Sequence, residues 1–140
     1  MAASVSLTRR VRFAAAHRYW HPDWDEATNY RIFGLCARPN YHGHNYTCTV
    51  TVTGEIDPAT GMIVPLDELD AVLEREVVAR FDHRNINLEV PEFKEGSLVP
   101  TGENLARFIL ERVQLALGER LRVAAVTVAE DEDLAATAYG

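Results

Sequence analysis

His42-Gly43-His44-Asn45-Tyr46-Thr47-Cys48-Thr49-Val50-Thr51-Val52-Thr53 sorts its side chains into two rows. From His44 onward, Tyr46, Cys48, Val50 and Val52 share one face, and Asn45, Thr47, Thr49, Thr51 and Thr53 the other. Such alternation is the pattern of an antiparallel strand with one buried and one solvated side. His42 and His44 fall in the apolar row, about 6–7 Å apart by strand geometry, with Gly43 leaving the opposite face clear. A second alternating segment precedes this one: Val5, Leu7, Arg9, Val11, Phe13, Ala15 and His17 are in phase. Pairing the two segments brings His17 beside His42 and His44. Three neutral imidazoles suit Zn2+ and leave its fourth position open to water or substrate. Ordinary, partly buried histidines are the alternative reading of the same three residues.

Working outward, Asp57-Pro58-Ala59-Thr60-Gly61 has turn chemistry and leads into a short apolar run, Met62 to Val64. Leu66, Leu69, Leu73 and Val77 recur at helical spacing and predict a helix over about 65–81. Leu105, Phe108, Ile109, Val113 and Ala116 predict a second helix, with Thr101 as N-cap and Gly118 just past its end. Strand character returns over 121–130, where Val126, Val128 and Glu130 are in phase, and a last strand near 134–139 can form a hairpin with it. The order β-β-α-α-β-β predicts a single α+β domain spanning residues 1–140, an antiparallel sheet with two helices on one face. The connection from Arg18 to Tyr41 shows no periodicity, yet it carries Trp20, Tyr30, Phe33 and Cys36. That is too aromatic for disorder and predicts an ordered active-site loop.

Composition narrows the function classes. The net charge is −7, which argues against a general nucleic-acid binder. The charge is uneven: residues 1–50 hold six arginines against three acids, and the rest hold eight basic against eighteen acidic residues. Most of the histidines therefore sit in the positive half, which would suit an anionic small molecule; scattered solvated charges are an equally good reading of the same counts. No apolar run approaches the roughly 20 residues that span a bilayer, and no apolar signal core follows Met1. Two cysteines are too few for a disulfide scaffold, and a cytoplasmic protein with free thiols is expected.

Among the remaining polar residues, Cys36 is either an inert loop thiol or one activated by a nearby metal, six residues before His42. Cys48 reads as core. Asp82-His83 follows the first predicted helix and reads equally well as a polar helix terminus or as a carboxylate-oriented imidazole poised for proton transfer. Glu103 is explained by its place in a first helical turn. Glu130 shares the phase of Val126 and Val128, so its carboxylate points towards the core side and needs N–H donors.

Taken together, Phe13-Ala14-Ala15-Ala16-His17, Cys36 separated by five residues from His42-Gly43-His44-Asn45-Tyr46, Gly54-Glu55-Ile56-Asp57-Pro58 with Gly61-Met62, Phe81-Asp82-His83 with Asn85, Thr101 through Asn104, and Val126-Thr127-Val128-Ala129-Glu130 resemble the 6-pyruvoyl-tetrahydropterin synthase family. The resemblance runs in order from about residue 7 to 139. It implies a tunnelling fold whose subunits pool their sheets into a barrel, a homohexamer built as a dimer of trimers, and active sites at subunit interfaces. It further implies that His17, His42 and His44 bind zinc, that Cys36, Asp82 and His83 transfer protons, and that Glu130 anchors the pterin with Thr101, Gly102 and Glu103 lining its pocket. The implied substrate is 7,8-dihydroneopterin triphosphate. Arg10, Arg12 and Arg18, in the positive half, are candidates for its triphosphate.

A related activity, 6-carboxy-tetrahydropterin synthase of the 7-deazaguanine (queuosine) pathway, uses the same substrate and zinc site but also releases acetaldehyde. Its members commonly have a shorter gap between the cysteine and the His-x-His pair, so the five residues here, Ala37 to Tyr41, favour the pyruvoyl activity. A non-catalytic pterin- or purine-binding module would need neither Cys36 nor Asp82 and His83. A hydrolase with a Cys-His nucleophile pair lacks an oxyanion-hole motif.

Overall fold

The computed structural model describes residues 3–140. Its elements in chain order are β1 (Ser6–His17), α1 (Glu26–Phe33), β2 (His42–Thr53), α2 (Leu66–Leu73), α3 (Ala79–Phe81), β3 (Arg84–Asn85), α4 (Ile86–Glu89), α5 (Gly102–Leu117), β4 (Arg122–Ala129) and β5 (Ala135–Tyr139). The sheet order is β3-β1-β2-β4-β5. All neighbours are antiparallel except β1 and β3, which run parallel through Ala15 and Ala16 alone.

The expected α+β architecture is present with additions. The loop between β1 and β2 contains α1 and a single 3-10 turn, Gly34–Ala37. The helix expected over 65–81 is continuous through residues 66–81, but its middle is a π turn, Glu74–Val78. Its apolar stripe is carried by Leu69, Leu73, Val77 and Phe81, all fully buried, whereas Leu66 is exposed. In α5 the stripe closes on buried Leu117; Ala116, one position earlier, points away from the sheet. Thr101 caps α5 as its spacing implied, its hydroxyl accepting the Asn104 N–H at 3.1 Å.

The core lies between the sheet and these helices. Phe13 stacks on Tyr46 and on Phe81, with ring centroids 4.8 and 5.3 Å apart, which ties β1 and β2 to the helix above them. In β4 a bulge leaves Ala124 unpaired between the Thr51–Ala125 and Val52–Val123 pairs. The extra residue resets the phase, so Val123 and Val126 both face inward. No helix among the described residues is long and apolar enough to cross a membrane.

Candidate active site

The paired strands assemble the three histidines by register. His17 lies opposite His42, and Ala15 opposite His44, so all three imidazoles leave the sheet on its buried side. Their ring centroids are 4.7, 5.1 and 5.2 Å apart, and one ring nitrogen from each falls within 4.8 Å of the others. Gly43 keeps the space between them open: a Cβ there would stand 3.3 Å from the Ala15 carbonyl oxygen of the neighbouring strand, a tight contact.

His17 is fully buried. Its Nδ1 is 2.9 Å from the Pro100 carbonyl oxygen, which can only accept, so Nδ1 carries the proton and Nε2 presents its lone pair. The Tyr46 hydroxyl lies 3.0 Å from the same Nδ1. Burial, and then the neighbouring His42, lower the His17 pKa to about 4, against an opposing contribution from the Pro100 carbonyl. His42 is also lowered, by burial and by His44. Both rings are therefore neutral at pH 7, the form that binds metal. Nε2 of His44 is buried without a hydrogen-bond partner. It is 3.7 Å from Oε2 of Glu130, too long for a hydrogen bond. Imidazole nitrogens are among the usual ligands of Zn2+, and three of them gather here. The donor set and the orphaned nitrogen together fit a zinc ion.

Two cavities meet at Glu130. One, of about 500 Å³, is lined by Cys36, Arg38, Tyr41, His42, His44 and Glu130. The other, of about 230 Å³, is lined by Tyr19, Thr101, Gly102, Glu103 and Glu130 together with Leu134 to Ala136. Glu130 is buried, as its phase implied, and accepts a hydrogen bond from the Tyr19 hydroxyl at 2.9 Å. Cys36 is held in the 3-10 turn, where its carbonyl accepts the Tyr19 N–H at 2.8 Å. Burial, and secondarily the Glu130 charge, raise the Cys36 thiol above its ordinary pKa. Cys48 is buried in the core, its thiol pushed up to about 12 by burial.

Asp82 and His83 stand elsewhere. Nδ1 of His83 is 2.9 Å from Asp82 Oδ2, and the His83 side chain is 84% exposed. The pair is stitched to β1: the Ala14 N–H donates to Asp82 Oδ1 at 2.8 Å, and the His83 N–H to the Ala14 carbonyl at 2.6 Å. His83 lines a further cavity of about 500 Å³ with Ala14 to Ala16 and Gly43 to Asn45, residues of both phases at the end of the β1–β2 pair. Within one chain, Cys36 and His83 thus open on different cavities, which share His44. The structure brings together His17, His42, His44, Cys36, Glu130 and Thr101 to Glu103; it does not bring Asp82 and His83 to Cys36.

Arg10 and Arg12 lie on the outward phase, with Arg10 Nε 3.4 Å from the Thr49 hydroxyl, away from the histidines. Arg18 donates to the Ala37 carbonyl at 2.8 Å and covers the Trp20 ring at 4.3 Å, so it fastens the loop. Sequence reading missed Tyr19, Arg38, Tyr41 and the Pro100 carbonyl. Tyr46 was visible in the inward row beside His44, but the others sit in stretches without periodicity. Tyr41 and His83 have positive φ, 65° and 59°. That region favours glycine, and strain of this kind clusters at functional sites.

The sequence profile described as 6-pyruvoyl tetrahydropterin synthase matches residues 6–140. A human relative, 6-pyruvoyl tetrahydrobiopterin synthase, is 41% identical over 113 residues, covering 81% of this chain and 77% of its own. A probable 6-carboxy-5,6,7,8-tetrahydropterin synthase of Halobacterium salinarum is 32% identical, covering 94% and 85% respectively. The solved structure of 6-pyruvoyl tetrahydropterin synthase from Caenorhabditis elegans superposes with a TM-score of 0.90 at 31% identity, over 99% of this chain and 96% of that one.

Proposed function

The chain belongs to the 6-pyruvoyl tetrahydropterin synthase family, and from that membership we propose that it converts 7,8-dihydroneopterin triphosphate to 6-pyruvoyl-tetrahydropterin with elimination of triphosphate. The observation that carries the reading is the meeting of three imidazole nitrogens, the Cys36 thiol and the Glu130 carboxylate around adjoining cavities. Relatives named for this activity make pterins, and a pterin offers what Glu130 requires. Its 2-amino group and ring N–H form a paired donor edge that a carboxylate accepts in bidentate fashion, beside the Thr101–Glu103 turn. A Zn2+ held by His17, His42 and His44 would polarise the side-chain hydroxyls, acidify the adjoining C–H and lower the nearby thiol.

The chain's own residues then handle protons. Cys36 opens on the metal-side cavity and is placed to accept and return a proton on one face of the side chain. Asp82 orients His83 through their 2.9 Å contact, the arrangement of a general acid–base pair. Because His83 lines a cavity that holds neither Cys36 nor Glu130 of its own chain, we infer that it serves a site completed by a second copy. Loss of triphosphate and migration of the side-chain hydrogens leave a diketone and a reduced ring, with no external oxidant. Unpaired edges support an assembly of this kind. Among the described residues, β1 has a second partner only at Ala15 and Ala16, and β5 pairs only with β4; free edges of that length invite pairing. We propose a homohexamer, a dimer of trimers with a shared barrel, for which light scattering should give six chain masses.

One observation favours a second reading: the Halobacterium relative named as a probable 6-carboxy enzyme matches nearly the whole chain. The five residues between Cys36 and His42 favour the pyruvoyl product. Incubation with 7,8-dihydroneopterin triphosphate and identification of the pterin decides between them. Carboxy-pterin with acetaldehyde would replace the first reading with the second, and no turnover by zinc-loaded protein would leave a binding module.

A further inference from the structure

Glu130 is poised between two destinations. Its Oε2 faces His44 Nε2 at 3.7 Å, and its Oε1 accepts from the Tyr19 hydroxyl at 2.9 Å. Tyr19 lines the cavity that holds Thr101, Gly102 and Glu103, but not the one that holds Cys36 and His42. Its hydroxyl therefore draws the carboxylate towards the second cavity. Without that donor, a short rotation closes the gap to the orphaned His44 nitrogen.

Tyr19 is itself firmly held. Its N–H is tied to the Cys36 carbonyl at 2.8 Å. Its ring packs edge-on against His17 and Phe33, with centroids 5.0 and 5.8 Å away. A phenol fixed at both ends is a rigid donor. A carboxylate oxygen has two lone-pair directions, so Oε1 can take the Tyr19 hydroxyl on one and a ligand N–H on the other.

We propose that Tyr19 is a positioning residue that aims the Glu130 carboxylate into the second cavity, and so sets the preference for a ring with a 2-amino group beside a ring N–H. The inference rests on the reading of Glu130 as the pterin anchor. A ring bearing a carbonyl in place of the 2-amino group presents an acceptor to one carboxylate oxygen, and a fixed carboxylate cannot turn away from it. Tyr19 thereby works against the wrong ring as well as for the right one.

Equilibrium binding of pterin, and of lumazine as its 2-oxo counterpart, to the intact protein, Tyr19→Phe, Glu130→Gln and the double variant tests this. Tyr19→Phe should weaken pterin binding about tenfold, the scale of one hydrogen bond to a charged group, and narrow the pterin-to-lumazine ratio. In the Glu130→Gln background the same change should have no further effect on pterin. Equal weakening in both backgrounds, or an unchanged ratio, would overturn the proposal, since a merely structural tyrosine shifts both ligands alike. Wild-type pterin affinity in Glu130→Gln would instead remove the anchor reading. Weak binding there, with normal binding by Tyr19→Phe, would sink the Tyr19 role alone.

Discussion

The inward face of the β1–β2 pair has two halves built on one register. Towards Ser6 and Thr53 it carries Val50 and Val52 on β2, fully buried, packed with Leu7 and Val11 of β1. Between Leu7 and Val11, Arg9 is half-exposed and ion-paired to Asp70 at 2.8 Å. Towards His17 and His42 the same row carries three imidazoles and the Tyr46 hydroxyl. Nothing in backbone geometry separates the halves, since the pairing runs without a break from Ser6–Thr53 to His17–His42. The apolar half buys stability. The imidazole half is polar where the phase calls for apolar side chains, and such local conflicts with the fold are where function is expected.

The widest separation between the halves should come from His42→Ala. His42 is half-buried, so the fold should tolerate its loss, but one of the three proposed metal donors is gone. Zinc per chain, measured by elemental analysis, should fall to near zero, and turnover should drop by roughly a thousandfold or more. Full zinc occupancy in this variant would contradict the metal assignment. Val50→Ala is the matching change in the apolar half: zinc should stay bound, while urea denaturation should show a loss of about 2 kcal/mol for the deleted buried methyls. If Val50→Ala stripped the zinc while His42→Ala unfolded the chain, the two halves would not be separable.

Tyr46 joins the halves. Its ring stacks on Phe13, and its hydroxyl reaches His17. Tyr46→Phe keeps the first contact and deletes the second. His17 retains the Pro100 carbonyl, so the metal-free protein should lose only about 1 kcal/mol. A loss above about 3 kcal/mol, of the size expected for deleting the whole ring, would assign the hydroxyl to the core.

What the sequence disclosed follows from the same physics. Alternation is local, so the inward row, the three histidines and the phase of Glu130 were legible, as was the stripe that buries Leu105, Ile109 and Val113. α1 was not legible, because polar contacts hold it in place of an apolar stripe. Asp25 caps the Thr28 N–H at 2.7 Å, and the Asn29 amide bonds the carbonyls of His21, Trp24 and Asp25. β3 is two residues long and pairs only with Ala15 and Ala16, too short for any alternation to show. The Tyr19–Glu130 bond joins residues 111 positions apart, and no periodicity reports such a contact. Asp82-His83 illustrates the intermediate case: the sequence showed the pair but not which cavity it serves.

That pair gives the smallest effect, where the chain enters β3 beside β1. The Asp82 carboxyl is held below the ordinary aspartate range, first by the Ala14 N–H and then by His83, with slight burial opposing. A carboxyl whose pKa is lower folded than unfolded adds stability above its unfolded pKa and loses it as pH falls through the folded value. Wild type should therefore exceed Asp82→Asn in stability at neutral pH, by less than Tyr46→Phe costs because the group is solvent-screened. The difference should fade as pH drops below the ordinary aspartate range. Since Ala14 is the larger cause, His83→Asn should keep most of the pH-dependent difference, while its turnover falls. A difference that grew towards acid, or that vanished with His83→Asn, would move Asp82 from the strand edge to the imidazole as its chief partner and undo the contrast between a carboxylate fixed by the fold and an imidazole left free for chemistry.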